Sequence, residues 1–293
     1  MLNYSACALC PRRCGVDRTR GETGYCGQSA SLRAAKAMLH YGEEPPISGA
    51  YGTGIVFFSG CTLHCRYCQN AAISLKNFGK ELSAARLREV FEALIDEGAQ
   101  CVELNTPTQF LPSILPALTP KLPVPVVYNS GGYESVETLR ELDGLIDIYL
   151  PDYKYADETL ARRLSDAPNY PIICEESLRE MYRQVGAAVV DEEGVMQRGM
   201  IVRHLVLPGC VENSLKVVER FAELFPKRDV LFSLMAQYLP MPGMQPPLDR
   251  RVTADEYAAV MSWAELCGVT NGFTQDLCAA KDELLPEFDL EGL

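Results

Sequence analysis

Positive charge is scarce in this chain. Its 293 residues carry 27 Lys and Arg against 39 Asp and Glu, a net charge of −12. That balance argues against a nucleic-acid surface, which neutralises phosphates with clustered basic side chains. Long apolar runs are also missing: none reaches the ~20 residues that a membrane-spanning helix needs. The opening M-L-N-Y-S-A-C lacks the charged-then-apolar pattern of a secretory signal. The expected partners are therefore a protein, a peptide or a small molecule, with neither nucleic acid nor membrane. Tryptophan is limited to Trp263, on the apolar face of an expected helix, where it reads as packing. What the chain does have is cysteine, twelve in all. Without a secretory signal these read as thiols kept for metal in a reducing cytoplasm rather than as a disulfide scaffold. A hydrophobic content of 47% is enough for one sizeable core and one main domain.

Three of the cysteines stand in G-C-T-L-H-C-R-Y-C-Q-N, at Cys61, Cys65 and Cys68, directly after an apolar run from Gly54 to Ser59. A loop with this C-x3-C-x2-C spacing can place one thiolate on each of three irons of a [4Fe-4S] cube and leave the fourth iron open. An open position is what a catalytic metal site keeps for its ligand. The alternatives are a zinc site or three unrelated core thiols. Strand, loop and the aromatic Tyr67 together resemble the radical S-adenosylmethionine (SAM) superfamily, whose motif is C-x3-C-x-aromatic-C. The resemblance implies that the open iron chelates the amino and carboxylate groups of SAM. One electron then cleaves the sulfur to C5′ bond to give a 5′-deoxyadenosyl radical, a reaction that calls for a low-potential donor such as flavodoxin or ferredoxin. The cofactors carry the chemistry and the protein positions them.

From Gly54 onward, short β-rich runs alternate with helical patterns. Strands are expected at Ile55–Ser59, Cys101–Asn105, Val124–Asn129, Ile146–Leu150, Met200–Leu207 and Val230–Met235. Helices are expected at Ser83–Glu97, Ser135–Leu142, Asp157–Leu164, Glu175–Val185, Glu212–Phe225 and Ala254–Cys267. The turn residues D-E-E-G at 191–194 point to a small hairpin before the fifth of these strands. Such alternation gives an α/β fold with parallel strands and right-handed crossovers, either open and doubly wound or barrel-like. The superfamily resemblance selects a partial (β/α)6 TIM-like barrel with a small N-terminal cysteine-rich metal-binding segment. The expected division is 1–50 for that segment and 51–293 for the barrel with its C-terminal tail.

The N-terminal segment C-A-L-C-P-R-R-C-G-V-D-R-T-R-G-E-T-G-Y-C-G brings Cys7, Cys10, Cys14 and Cys26 together among glycines, with little apolar material to hold it. Metal ligation would supply the missing folding energy. Zinc and a second [4Fe-4S] cluster both suit four thiolates.

In a β/α barrel the chemistry lies at the carboxyl ends of the strands. Here those ends read N-T-P-T-Q (105–109), N-S-G-G-Y (129–133), P-D-Y-K-Y (151–155), R-H-L-V-L-P-G (203–209) and L-M-A-Q-Y-L-P (234–240). Together with the tail L-P-E-F-D-L-E-G (285–292) and the N-terminal cysteines, these motifs are similar to the pyruvate formate-lyase activating-enzyme-like proteins. Activating enzymes of that group generate a glycyl radical on a partner enzyme. The similarity implies that Asn129 and Ser130 meet the methionyl or ribose part of SAM, that Asp152 and Lys154 are the charged pair after the fourth strand, and that His204 lies near the adenosyl side. The family's G-G-E after the second strand is replaced by Thr106, Pro107, Thr108 and Gln109. Hydroxyl and carbonyl oxygens there, including those of Thr106 and Thr108, can still accept from an ammonium. His40 and His64 have weaker claims, and His64 reads as loop filler. The sequence thus predicts a radical SAM oxidoreductase that abstracts a hydrogen atom from a protein, peptide or small molecule, with glycyl-radical activation as one form. The alternative is an iron-sulfur electron-transfer or metal-scaffold protein without radical chemistry.

Overall fold

The computed structural model describes residues 2–277 and 286–293. In chain order its elements are β1 (Arg33–His40), α1 (Pro45–Ser48), β2 (Thr53–Phe58), α2 (Ala71–Ser74), β3 (Lys80–Glu81), α3 (Ala84–Asp96), β4 (Val102–Asn105), α4 (Leu111–Ile114), β5 (Val126–Ser130), α5 (Val136–Arg140), β6 (Ile148–Pro151), α6 (Glu158–Ser165), α7 (Tyr170–Val185), β7 (Val189–Val190), β8 (Met196–Leu205), α8 (Val211–Leu224), β9 (Leu231–Met235), α9 (Ala254–Leu266) and β10 (Gly272–Thr274). They form one sheet of ten strands in the order β10-β9-β8-β6-β5-β4-β2-β1-β3, with β7 pairing β8 off this path. From β2 to β10 the neighbours along the main path are parallel, the pattern of a partial TIM-like barrel. The D-E-E-G turn does join an antiparallel hairpin, β7 to β8.

The helices form where the apolar spacing asks for them. Ser83 caps α3 by accepting from the Arg86 amide at 3.0 Å, and Leu87, Val90, Phe91 and Leu94 are buried on one face. Successive residues of each parallel strand part company across the sheet. Val126 and Tyr128 of β5 join the core under the helices, whereas Val127 packs on the opposite, concave side. α7 begins five residues before the expected Glu175, at Tyr170, because Pro171 occupies its first turn, where a missing amide costs nothing.

The expected boundary at residue 50 does not match the structure. β1 pairs antiparallel with β2 from Ala34 to His40, so it belongs to the barrel sheet. The chain then crosses into the concave interior. Ile47 of α1 is fully buried there against Cys101, Val127, Ile148, Leu150, Met196 and Ile201. Burying one such side chain is worth roughly 1.5–3 kcal/mol, so this segment is held in the barrel rather than appended to it. The cysteine-rich part is accordingly shorter and precedes β1. The C-terminal tail runs along β1, with Leu290 donating to the Ala35 carbonyl and Ala37 donating to that of Glu291. Leu285, the first residue of the tail motif, lies outside the described residues. No helix among the described residues is long and apolar enough to cross a membrane.

Candidate iron-sulfur and cofactor site

The cysteine loop leaves β2 through Ser59 and Gly60. Gly60 has φ +81°, and a Cβ there would lie 2.7 Å from the Cys26 carbonyl. The N-terminal segment therefore sits directly on the loop, and only glycine permits that approach. Arg12 fastens the contact by donating to the Thr62 carbonyl at 2.9 Å and to the Ser165 carbonyl at 3.0 Å, with its guanidinium 3.8 Å from the centre of the Tyr25 ring. His64 also stacks on Tyr25, with the ring centroids 4.6 Å apart. It is part of this interface rather than loop filler.

Cys61, Cys65 and Cys68 line one cavity of about 160 Å³ together with Asn105, Thr106, Asn129, Ser130, Asp152 and Lys154. Its lining contains no fourth thiol among the described residues. Each sulfur has a donor beside it: the Leu63 amide at 3.4 Å from Cys61, the Ser165 hydroxyl at 3.0 Å from Cys65 and the Ser74 hydroxyl at 3.2 Å from Cys68. Donors of this kind favour a thiolate. Burial first, and then the proximity of Cys65 and Cys68, push the Cys61 thiol up to about 12. Buried thiols that repel one another when ionised are relieved by coordination to positive irons. Among the described residues no three such side chains converge closely enough for a single metal ion. Ligands of an iron-sulfur cube bind separate irons and do not need to converge on one point. Three thiols on one cavity, each with a donor beside it, fit a cluster. Tyr67, in the aromatic slot, is buried, and the Tyr155 hydroxyl links it (2.8 Å) to Ser165 (2.7 Å), the donor to Cys65.

Beside this lies a larger cavity of about 530 Å³, which shares Cys68, Asn129, Asp152, Lys154 and Arg203 and adds Tyr67, His40 and Gln237. Asp152 pairs with Lys154 and accepts from Arg203 Nε at 2.9 Å. Burial alone would raise the Asp152 carboxyl, but the two cations outweigh it and hold the group below its ordinary range. Lys154 is disfavoured by burial, yet Asp152 keeps it protonated. Arg203 also donates to Asn129 Oδ1 at 2.6 Å and to Glu43 at 3.0 Å, and Asn129 donates to Glu103 at 2.6 Å. These side chains form one network from Lys154 to Glu103.

The structure gathers Tyr67, Thr106, Asn129, Ser130, Asp152 and Lys154 around the two cavities. It does not bring Thr108 or His204 there. Thr108 is fully buried and bonded to Tyr128 at 3.1 Å and Glu134 at 2.9 Å. His204 alternates with the inward Arg203 and Leu205, so it faces the helices. Its Nδ1 is 2.6 Å from the Tyr153 carbonyl and its Nε2 2.8 Å from Ser214 Oγ. In the place of the family's G-G-E, Gln109 donates to the carbonyls of Ser59 and Thr106 at 2.9 and 2.8 Å. It ties the cysteine loop to the end of β4. Sequence reasoning assigned no role to Glu43, Glu44, Glu103 and Arg203. A glutamate inside the apolar run C-V-E-L-N was the available signal.

The four N-terminal thiols form no site for a single ion among the described residues. They are nonetheless neighbours. Burial raises Cys10 to about 12, with smaller contributions from Cys26 and Cys14, while Cys26 also feels Cys7.

A family model described as a 4Fe-4S single cluster domain matches residues 49–106, which include the three loop cysteines and exclude the N-terminal four. Across 76% of this chain and 66% of the other, the structure aligns with a radical SAM methyltransferase from Sphaerobacter thermophilus at a TM-score of 0.51 and 14% identity. The chain shares the fold of that enzyme. SuiB of Streptococcus suis aligns over 77% of this chain and 50% of its own, with a TM-score of 0.52 and 15% identity. At the sequence level an uncharacterized protein of Methanocaldococcus jannaschii is 28% identical over 277 residues, 89% of this chain and 75% of that one. The chain thus spans about two thirds and one half of the two solved structures.

Proposed function

We propose that this protein is a radical SAM enzyme that cleaves SAM reductively at a [4Fe-4S] cluster held by Cys61, Cys65 and Cys68 and abstracts a hydrogen atom from its substrate. The observation that carries this reading is three donor-supported thiols, Cys65 buried and Cys61 and Cys68 half-buried, opening with Asn129, Asp152 and Lys154 onto one cavity whose lining has no fourth thiol among the described residues. A fully ligated electron-transfer cluster needs that fourth ligand, which weighs against the scaffold alternative. When bound, the cluster and SAM supply the electron and the hydrogen-abstracting power.

The chain's own residues do the positioning. Ser74, Ser165 and the Leu63 amide set one donor beside each sulfur, which would support the thiolates that coordination to iron requires. Lys154 offers an ammonium donor to the carboxylate or ribose oxygens of SAM, and Asp152, kept ionised, accepts from a hydroxyl or ammonium. Asn129, with its amide pinned at both ends, keeps a fixed orientation between them. The electron comes from a low-potential donor of the flavodoxin or ferredoxin class. Cys7, Cys10, Cys14 and Cys26 are read as a second metal centre. A [4Fe-4S] cluster and zinc both suit four thiolates. Glycyl-radical activation is the narrower form of this proposal, resting on the sequence resemblance.

The test is anaerobic reconstitution with iron and sulfide, reduction with dithionite and chromatographic detection of 5′-deoxyadenosine. Replacing all three loop cysteines by alanine should abolish the product while the barrel stays folded. Continued 5′-deoxyadenosine formation in that variant would refute the assignment. Electron paramagnetic resonance of the reduced, SAM-treated enzyme mixed with candidate partners separates glycyl-radical activation from direct modification of a peptide or metabolite.

A further inference from the structure

The mouth of the larger cavity is built from the residues assigned above to the cofactors, but its floor is not. There the segment between β1 and α1 lays Glu43 and Glu44 into the concave interior, both lining the 530 Å³ cavity. Glu44 is the residue before α1, yet its side chain makes no capping bond to that helix. It is only 9% exposed, and its Oε2 has no hydrogen-bond partner. Glu103 of β4 is fully buried beside them, with one oxygen taken by Asn129 and Oε2 likewise without a partner.

Charge does not balance at this floor. Arg203 faces Glu43, Glu44 and Glu103 alike, but its bonds go to Glu43, Asp152 and Asn129. Lys154 is committed to Asp152. Four carboxyl groups therefore share two cations. Burial drives the carboxyls of Glu44 and Glu103 above their ordinary range, and their acidic neighbour Glu43 adds to it. A buried carboxyl oxygen without a partner is costly. The fold nevertheless keeps Glu44 on the wall of a cavity, where an incoming cation would satisfy it.

From this we infer that the floor is a substrate subsite for a primary ammonium group, seated on Glu44 and Glu43, with the rest of the molecule extending toward the cysteine loop. Its role as a substrate subsite rests on the radical SAM reading. The ammonium of SAM itself belongs on the other side, since the cavity lined by the three thiols includes neither Glu43 nor Glu44. An ammonium has three donors and one charge, matching a free carboxylate oxygen beside a second acid. A hydroxyl in its place would bring a donor but no charge to hold Glu44 and Glu43 ionised against their burial, and the subsite thereby discriminates amine from alcohol.

The experiment is isothermal titration of the reconstituted protein with n-butylammonium, cadaverine and lysinamide, each against its hydroxyl counterpart, with and without saturating SAM. At least one ammonium probe should bind the wild type, bind Glu44→Gln at least tenfold more weakly, and remain bound when SAM is added. The hydroxyl counterparts should not distinguish the two proteins. Equal affinity of every probe for wild type and Glu44→Gln, including no binding to either, overturns the proposal. So does displacement by SAM, which would make the floor a site for the cofactor's own ammonium, and so does displacement by equimolar sodium or potassium. Glu44→Gln should melt no lower than the wild type, because it removes a buried acid whose Oε2 has no partner; should it fail to fold, Glu44→Ala takes its place. Formation of 5′-deoxyadenosine by the wild type is scored separately, so that loss of the radical reading and loss of the amine subsite give different results.

Discussion

His204 gives the sharpest physical test of how the barrel packs. Its Nδ1 faces a carbonyl that can only accept, so the proton sits on Nδ1 and Nε2 accepts from Ser214. A second proton would place a donor against Ser214 inside a fully buried site. Burial accordingly lowers the imidazole from 6.5 to about 4. The depressed value means that the neutral form stabilises the fold in full above pH 6.5. This contribution falls as the unfolded chain takes up a proton between pH 6.5 and about 4, and it is gone below that. A difference of this size corresponds to about 3 kcal/mol. Urea unfolding across pH 7.5 to 4 should show that loss in the wild type and a correspondingly flatter curve in His204→Gln, which does not ionise. The chain has only three histidines, so nuclear magnetic resonance of labelled imidazoles can follow each. A His204 resonance titrating with a midpoint near 6.5 would refute the buried assignment.

Other outcomes follow from the same geometry. Gly132→Ala would set a Cβ 2.1 Å from the Asp152 carbonyl at a φ of +74°, so we expect a loss of roughly 1–3 kcal/mol by urea unfolding and at least tenfold weaker SAM binding by equilibrium dialysis. Asp152→Asn leaves Lys154 and Arg203 without their shared carboxylate and should raise the SAM dissociation constant; an unchanged constant would place the cofactor elsewhere. In the triple variant of Cys61, Cys65 and Cys68, metal analysis should still find either about one zinc or about four irons per chain on the N-terminal cysteines. Zinc there would exclude electron relay, and a metal-free, folded protein would remove the second centre.

The succession of parallel strands and covering helices is legible in the residues themselves, because apolar strand runs alternate with helical patterns, whereas the choice of a barrel over an open sheet rests on the family resemblance. Asn129, Ser130, Asp152 and Lys154 are legible for a related reason: polar residues ending apolar strands collect on one rim. His204 is misplaced by a single step along β8, since neighbours on a strand point to opposite faces. Thr108 fails differently, for its loop turns inward and spends the hydroxyl on Tyr128 and Glu134. β1 is hidden because its charged Lys36 breaks the apolar run. In the fold that side chain reaches Asp289 and Glu291 of the tail, partners 253 and 255 residues away that no local pattern reveals.

The insertion of Ile47 beneath the strand ends has a consequence for what can react here. With Cys101, Val127, Ile148 and Ile201 packed around it, that end of the interior is closed among the described residues. A polymer cannot be threaded out through the closed end of such a shaft. A molecular end, such as a small molecule, a chain terminus or one long side chain, can be lowered toward it. The depth of the shaft then acts as a ruler, and the atom attacked is set by its distance from whichever group touches bottom.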